Sequence, residues 1–370
     1  MQQAETAIRS LSLSKKKLSK IVNDPEETAK AVNLVYVNDN HLGIERVRDG
    51  KSFFYTSSGL PLEDAAQLER IGRLVIPPAW ERVWICTLPN GHLQATGLDA
   101  RGRKQYRYHP LWNTLRNHTK FYRLQEFGKS LPAMRQQLEK DISLPGLPLH
   151  KVLATVVSLM ERTNIRIGNN LYEKLYGSFG LTTLQGKHVE IKGSQLRFTF
   201  KGKKGVYHDI TIRNKRLSLI VQKCRDIPGK ELFQYYDEQG QRRGIDSGMV
   251  NEYIKYLSGY DFTAKDFRTW SGSVQAFMAS KELGFAETES QNKKKVLEVI
   301  DLVAAGLGNT RNVCRKYYIH PAILTMYENR ALDKYFKKIP EMQPVIAFDL
   351  SPEEKTLLMI LDDYKVSVPA

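Results

Sequence analysis

The chain has few of the features that mark secreted or membrane-bound proteins. Its 370 residues include three cysteines, Cys86, Cys224 and Cys314, far apart and none in a Cys-x-x-Cys pair. That count argues against a disulfide framework and a zinc site, and suits a reducing compartment. The eight histidines show no His-Glu-x-x-His or other close metal-ligand pairing. The most apolar stretch, residues 152–160, is far shorter than the roughly 20 residues needed to span a bilayer. Residues 1–30 mix Lys15, Lys16 and Lys17 with Glu26 and Glu27, without the apolar segment of a signal peptide. Acidic residues are also scarce, 40 against 56 Lys+Arg, so the net charge is +16.

What is present is an ordinary globular composition, 41% hydrophobic and 26% charged. Such a chain can bury a core, which argues against wholesale disorder. At roughly 100–200 residues per domain, two or three domains are expected. The excess positive charge has a bland reading, a solvated surface, and a sharper one, a polyanionic partner such as nucleic acid.

The texture changes along the chain. Residues 1–32 read as a polar arm. Residues 33–112 read as a small β-rich domain. Strands are expected at 34–37, 44–48 and 52–55, the last two flanking Asp49-Gly50, a strong hairpin signal. A short helix over 62–73, an extended element over 75–80 and a hairpin of 93–96 with 103–109 follow. Residues 113–345 are mainly helical, with apolar spacing through 112–127, 134–142 and 151–160. A three-stranded β insert interrupts them at 188–191, 196–200 and 206–212. Further helices are expected over 217–225, 247–258, 267–283 and 293–305. Residues 346–370 form an acidic C-terminal tail or terminal helix. The expected fold class is α+β, with two lobes of opposed texture that could clamp a rod such as duplex DNA.

Four segments in the helical part carry candidate chemistry. Arg166 sits between Ile165 and Ile167 after an apolar helix, and a buried cation needs an anionic partner. A protein carboxylate would serve as well as a ligand. Lys203 stands at a Lys/Gly hairpin tip, either a solvated turn or a mobile cation. Arg268 follows Phe267 at what reads as a helix start, where free N–H groups also favour anions. The fourth segment runs from Gly308 to Pro321. Pro321 pushes His320 out of the α region, so a helix starting near Thr310 should end near Tyr318. Asn309 and Tyr318 are about 900° of helical rotation apart. They meet one ligand only if Asn309 lies before the helix, as an N-cap, or if the helix breaks.

These segments, in this order, resemble the type IB DNA topoisomerases, in particular the small bacterial, poxvirus-type branch. Ile76-Pro77-Pro78-Ala79-Trp80-Glu81-Arg82-Val83-Trp84-Ile85 and Ala95-Thr96-Gly97-Leu98-Asp99-Ala100-Arg101-Gly102-Arg103-Lys104-Gln105-Tyr106-Arg107-Tyr108-His109-Pro110 look like that branch's N-terminal signature. The resemblance covers roughly residues 33–345. It implies Tyr318 as nucleophile, Arg166, Arg268 and Lys203 as catalytic partners, and a fifth group at Asn309. The poxvirus enzymes have His at the position matching Asn309. Asn keeps a donor but cannot be cationic, so only a phosphate-oxygen contact is expected of it.

The implied reaction is reversible transesterification. Tyr318 forms a 3′-phosphotyrosyl bond and releases a 5′-hydroxyl, the duplex swivels, and religation needs no ATP. Lys203 is the expected general acid. No cofactor and no obligatory metal are expected. Lys265 is a lesser candidate for phosphate contact or proton relay. Arg103, Lys104, Gln105, Tyr106 and Tyr108 are expected on a DNA-facing strand, the cations on phosphates and Gln105 on a base edge. The expected setting is a bacterial, cytoplasmic, nucleoid-associated monomer wrapped around duplex DNA. Two other readings are a tyrosine site-specific recombinase, whose usual His-x-x-Arg is Lys265-x-x-Arg268 here, and a non-catalytic DNA-binding protein.

Overall fold

The computed structural model describes residues 24–339 and 347–364, apart from residues 51, 101 and 103. The chain divides into two compact units, with the boundary between Arg123 and Leu124.

The first unit is built on a six-stranded antiparallel sheet, in the order β3-β2-β1-β4-β5-β6. Its strands are β1 (Ile44–Asp49), β2 (Ser52–Ser57), β3 (Leu60–Pro61), β4 (Glu81–Ile85), β5 (Leu93–Leu98) and β6 (Lys104–Tyr108). Asp49 pairs with Ser52 across Gly50, whose left-handed φ of 56° gives the tight turn the sequence calls for. Ile44, Val83, Ile85 and Ala95 form a small core with Ile71 of the helix Ala65–Arg73. The strand expected at 34–37 is not formed. Val35 makes a single bridge to Gly91, and the Tyr36 ring stacks on His92 at 4.3 Å instead. The extended element at 75–80 joins no sheet, and β4 begins immediately after it.

The second unit is mainly helical. Its centre is the helix Leu149–Thr163, here α4, on which Val152, Leu153, Val156, Val157, Leu159 and Met160 are all buried. The two helices expected over 112–142 are one, Pro110–Ile142, with Pro132 inside it. A proline in a helix interior costs about 3 kcal/mol. Burial of Phe127, Leu131, Met134 and Leu138 outweighs that cost, at about 1.5–3 kcal/mol for each large apolar side chain. The β insert is the sheet β7 (Val189–Lys192), β8 (Gln195–Lys201) and β9 (Tyr207–Arg213). Leu196, Phe198 and Phe200 face the core, as their alternation predicts. A further two-stranded ribbon, Gln234–Tyr236 with Arg242–Gly244, was not anticipated. Within the stretch read as an acidic tail, Pro352–Asp363 is a helix whose Leu357, Ile360 and Leu361 join the core. Its Glu354 bonds to Arg135 and to the Trp270 indole.

Candidate active site

Arg166 lies just beyond α4, which Asn164 closes in a left-handed conformation. The segment is held by its backbone. Leu181 N–H donates to the Arg166 carbonyl at 2.9 Å, and Thr182 N–H to that of Ile167 at 2.7 Å. Gly180 permits this approach, because a Cβ there would stand 2.5 Å from the Arg166 carbonyl oxygen.

Arg268 is buried, 5% exposed, in the helix Ala264–Leu283, here α8. That helix starts earlier than expected. Thr263 and Asp266 form its capping box, and Ala264 N–H donates to Asn251 Oδ1 at 3.1 Å. Arg268 therefore sits one turn inside, and its guanidinium, not the helix start, faces the site.

Two helix ends hold the arginines. Arg268 Nη1 donates to the Asn164 carbonyl at the end of α4. Its Nη2 donates at 2.7 Å to Leu307, the last residue of Glu289–Leu307, here α9. Arg166 Nη2 donates to the Gly308 carbonyl at 2.8 Å and to Asn309 Oδ1. Terminal carbonyls lack intrahelical partners and carry the negative end of the helix dipole, so they suit cations.

They do not neutralise them. No described carboxylate is among the groups acting on either arginine. Burial and the charge of Arg268 push Arg166 down to about 10, and burial also lowers Arg268. The Tyr318 phenol and the Cys314 thiol oppose both shifts. Cys314 is fully buried, and its thiol is pushed up to about 11.

Tyr318 follows the short helix Arg311–Tyr317, as the proline at 321 requires. Its ring centre lies 5.2 Å from Arg268 Cζ. Its backbone presses on α8. A Cβ at Gly272 would stand 2.6 Å from the Tyr318 carbonyl oxygen, and His320 N–H donates to Ser273 Oγ at 3.0 Å. Asn309 precedes the helix, after Gly308 in left-handed conformation, but the N-cap is Thr310. Its position outside the helix is what brings Asn309 to Arg166.

Three buried side-chain polar atoms among the described residues have no hydrogen-bond partner, and two of them are Arg268 Nε and Asn309 Nδ2. Buried donors are rarely left unpaired. Lys203 is exposed on the turn Lys203–Gly205. It lines a cavity of about 670 Å³ together with Arg166, Tyr176, Phe179, Lys201 and Lys204.

Lys265 Nζ stands 5.9 Å from the ring of Tyr317, not of Tyr318. In the first unit, β6 is an edge strand. On it Lys104 pairs with Asp39 at 2.6 Å, and Gln105 donates to Asp99 at 3.0 Å. Tyr106 and Tyr108 are exposed and stacked, 5.8 Å apart. Arg103 lies outside the described residues. Sequence reasoning missed Gly180, Gly272 and Ser273, which position the arginine and tyrosine segments. It also missed His208, whose ring abuts Gly202 and Gly308. A lone glycine, serine or histidine carries no local signal of such a role.

Among the described residues, no group of three or more His, Cys, Asp and Glu is gathered as a metal site, and no helix is long and apolar enough to cross a membrane. Comparison with known proteins agrees with the geometry. The family described as eukaryotic DNA topoisomerase I, catalytic core, matches residues 109–343. The family described as bacterial DNA topoisomerase IB, N-terminal domain, matches residues 52–99. DNA topoisomerase 1B of Acanthamoeba polyphaga mimivirus is 32% identical over 305 residues, 79% of this chain and 90% of the viral protein. DNA topoisomerase I of Monkeypox virus and DNA topoisomerase 1B of Vaccinia virus (strain Copenhagen) are each 25% identical over 296 residues, 76% of this chain and 89% of theirs. A catalytic-core match that spans most of the chain and contains the whole arginine and tyrosine cluster leaves one assignment: the chain belongs to the type IB DNA topoisomerases.

Proposed function

We propose that this enzyme relaxes supercoiled duplex DNA by transient cleavage of one strand at Tyr318. The Tyr318 oxygen attacks a backbone phosphorus, and its proton passes to water. The bond from phosphorus to the 5′ oxygen breaks, and Lys203 protonates the departing oxygen. One phosphodiester is exchanged for another, so the reverse step reseals the strand without ATP. Between the two steps the free end swivels.

The observation that carries this reading is the pair of uncompensated guanidiniums beside Tyr318, with unpartnered donors at Arg268 Nε and Asn309 Nδ2. Arg268 Nη1 and Nη2 and Arg166 Nη2 are tied to helix-end carbonyls, so the pair is already oriented for an anion. A phosphate in the site supplies the missing charge and acceptors. As the transition state builds charge on the non-bridging oxygens, a preorganised cluster of this kind stabilises it. Asn309 contributes a neutral donor and transfers no proton.

We assign the N-terminal part, read from the sequence as residues 33–112, to gripping the flanking duplex through β6, and residues 113–345 to catalysis. One copy of the chain carries the full set of groups. Trapping the covalent complex on duplex DNA and mapping the modified residue by mass spectrometry tests the proposal. The expected adduct is on Tyr318. An adduct on another residue, or relaxation without one, overturns it.

A further inference from the structure

The turn that carries Lys203 is closed by its own backbone. Gly202 N–H donates to the Val206 carbonyl at 2.7 Å, and Gly205 N–H to that of Gly202 at 3.1 Å. The lysine's position therefore depends on where Gly202 rests. It rests on His208. A Cβ at Gly202 would stand 2.6 Å from both Cδ2 and Nε2 of the imidazole. The neighbouring ring atom faces the other half of the site, where a Cβ at Gly308 would stand 2.7 Å from His208 Cε1. The ring is stacked on Phe200, its cross-strand partner, with centres 5.0 Å apart and planes 23° apart. One imidazole thus fills the space between the turn bearing Lys203 and the turn bearing Asn309, and both backbones approach it where only glycine leaves room.

We propose that His208 is a positioning residue whose ring sets the Lys203 turn against the Gly308-Asn309 turn. This rests on the roles assigned above to Lys203 and Asn309. The chemistry needs both groups at one phosphate, yet they sit on separate elements, and Lys203 is on an exposed turn. A rigid ring between the two turns fixes their separation. Burial, then the charges of Arg166 and Arg268, hold the imidazole below its ordinary value. The ring is therefore neutral at pH 7 and adds no third cation beside the arginines. A misplacement of about 1 Å in such a site can slow chemistry by roughly 100-fold.

Gly202 offers a clean test, because its backbone is in the extended region and the ring of His208 is the one close obstacle to a Cβ. Single-turnover cleavage is measured on a duplex with a mapped cleavage site, and on the same duplex with sulfur in place of the departing 5′ oxygen. A thiolate leaves without a proton, so the second substrate does not depend on Lys203. Gly202→Ala and His208→Ala should each slow cleavage of ordinary DNA by roughly 10- to 100-fold, with DNA binding retained and most of the loss recovered on the sulfur substrate. The double variant should cleave no more slowly than the slower single variant, because without the ring the added methyl group meets nothing. Parental rates in both single variants, equal slowing on both substrates, or effects that simply multiply would overturn the proposal. If the parental protein forms no adduct at Tyr318 on either substrate, the underlying reading fails instead. Gly202→Ala keeps His208 in place, so the test survives even if His208→Ala does not fold.

Discussion

The guanidinium carbon of Arg268 lies 5.2 Å from the centre of the Tyr318 ring, and the same guanidinium is pinned to the carbonyls of Asn164 and Leu307. Arg268 is thus placed by the ends of α4 and α9, and the backbone of Tyr318 rests on α8 at Gly272.

Tyr318→Phe removes one oxygen and leaves the ring against Arg268. It should bind duplex DNA as the parent does, yet form no covalent adduct and relax no plasmid. Tyr317→Phe should keep both activities, because that ring faces Lys265. The reverse outcome in a gel assay of protein-linked DNA would move the nucleophile to Tyr317.

Arg268→Lys keeps the charge and loses the planar fork. An ammonium carries its three donors on one nitrogen, so it cannot span the two helix-end carbonyls that Nη1 and Nη2 reach and still face the phosphate. Single-turnover cleavage should fall by roughly 10²- to 10³-fold, the cost of a lost oxyanion donor. Stability should also fall, by about 1–3 kcal/mol for a buried carbonyl left unpaired. A rate close to the parent's would show that Arg268 acts as a point charge only.

Asn309→Asp separates stability from activity. The carboxylate keeps the acceptor for Arg166, neutralises a buried cation and removes the Nδ2 donor. The DNA-free protein should melt at a higher temperature, while cleavage falls by roughly 100-fold. A variant less stable than the parent would contradict the picture of an uncompensated arginine pair.

Inorganic phosphate should stabilise the DNA-free protein. A bound anion raises both guanidiniums back toward their ordinary values, and a ligand at 100 times its Kd adds about 2.7 kcal/mol. The shift in Tm should shrink in Asn309→Asp, where the charge is already met. Equal shifts in parent and variant would place the effect outside this site.

Relaxation should weaken steeply with rising salt, because the net charge of +16 binds DNA largely through counterion release. The rate at low salt should be unchanged by excess EDTA, since arginines meet the charge on the phosphate. Loss of relaxation on chelation would call for a metal in the mechanism.

Much of this protein could be read from local pattern. The period-2 alternation of Leu196, Phe198 and Phe200, the Asp49-Gly50 turn and the helical spacing of 151–160 each depend on neighbours in the chain, and each element formed. The proline at 321 placed the end of the helix before Tyr318. The excess of cations named the class of partner. Local pattern misled where packing outweighed it, as at Pro132, or where a strand lacked a partner, as at Val35.

The site itself is a property of the tertiary structure. Arg166 and Asn309 are 143 positions apart, and Arg268 and Asn164 are 104 apart. No local rule says that two helix ends will hold two arginines with carbonyls and leave their charge unmet. Whether a buried arginine is a salt bridge or an anion site depends on which carboxylates the fold brings near, and to Arg166 and Arg268 it brings none among the described residues. His208 and Gly272 matter only because other backbones press against them. The sequence by itself determined the elements, the charge and the candidate residues, because those follow from neighbours along the chain. The tertiary structure decided which candidates meet, because that depends on distances in space.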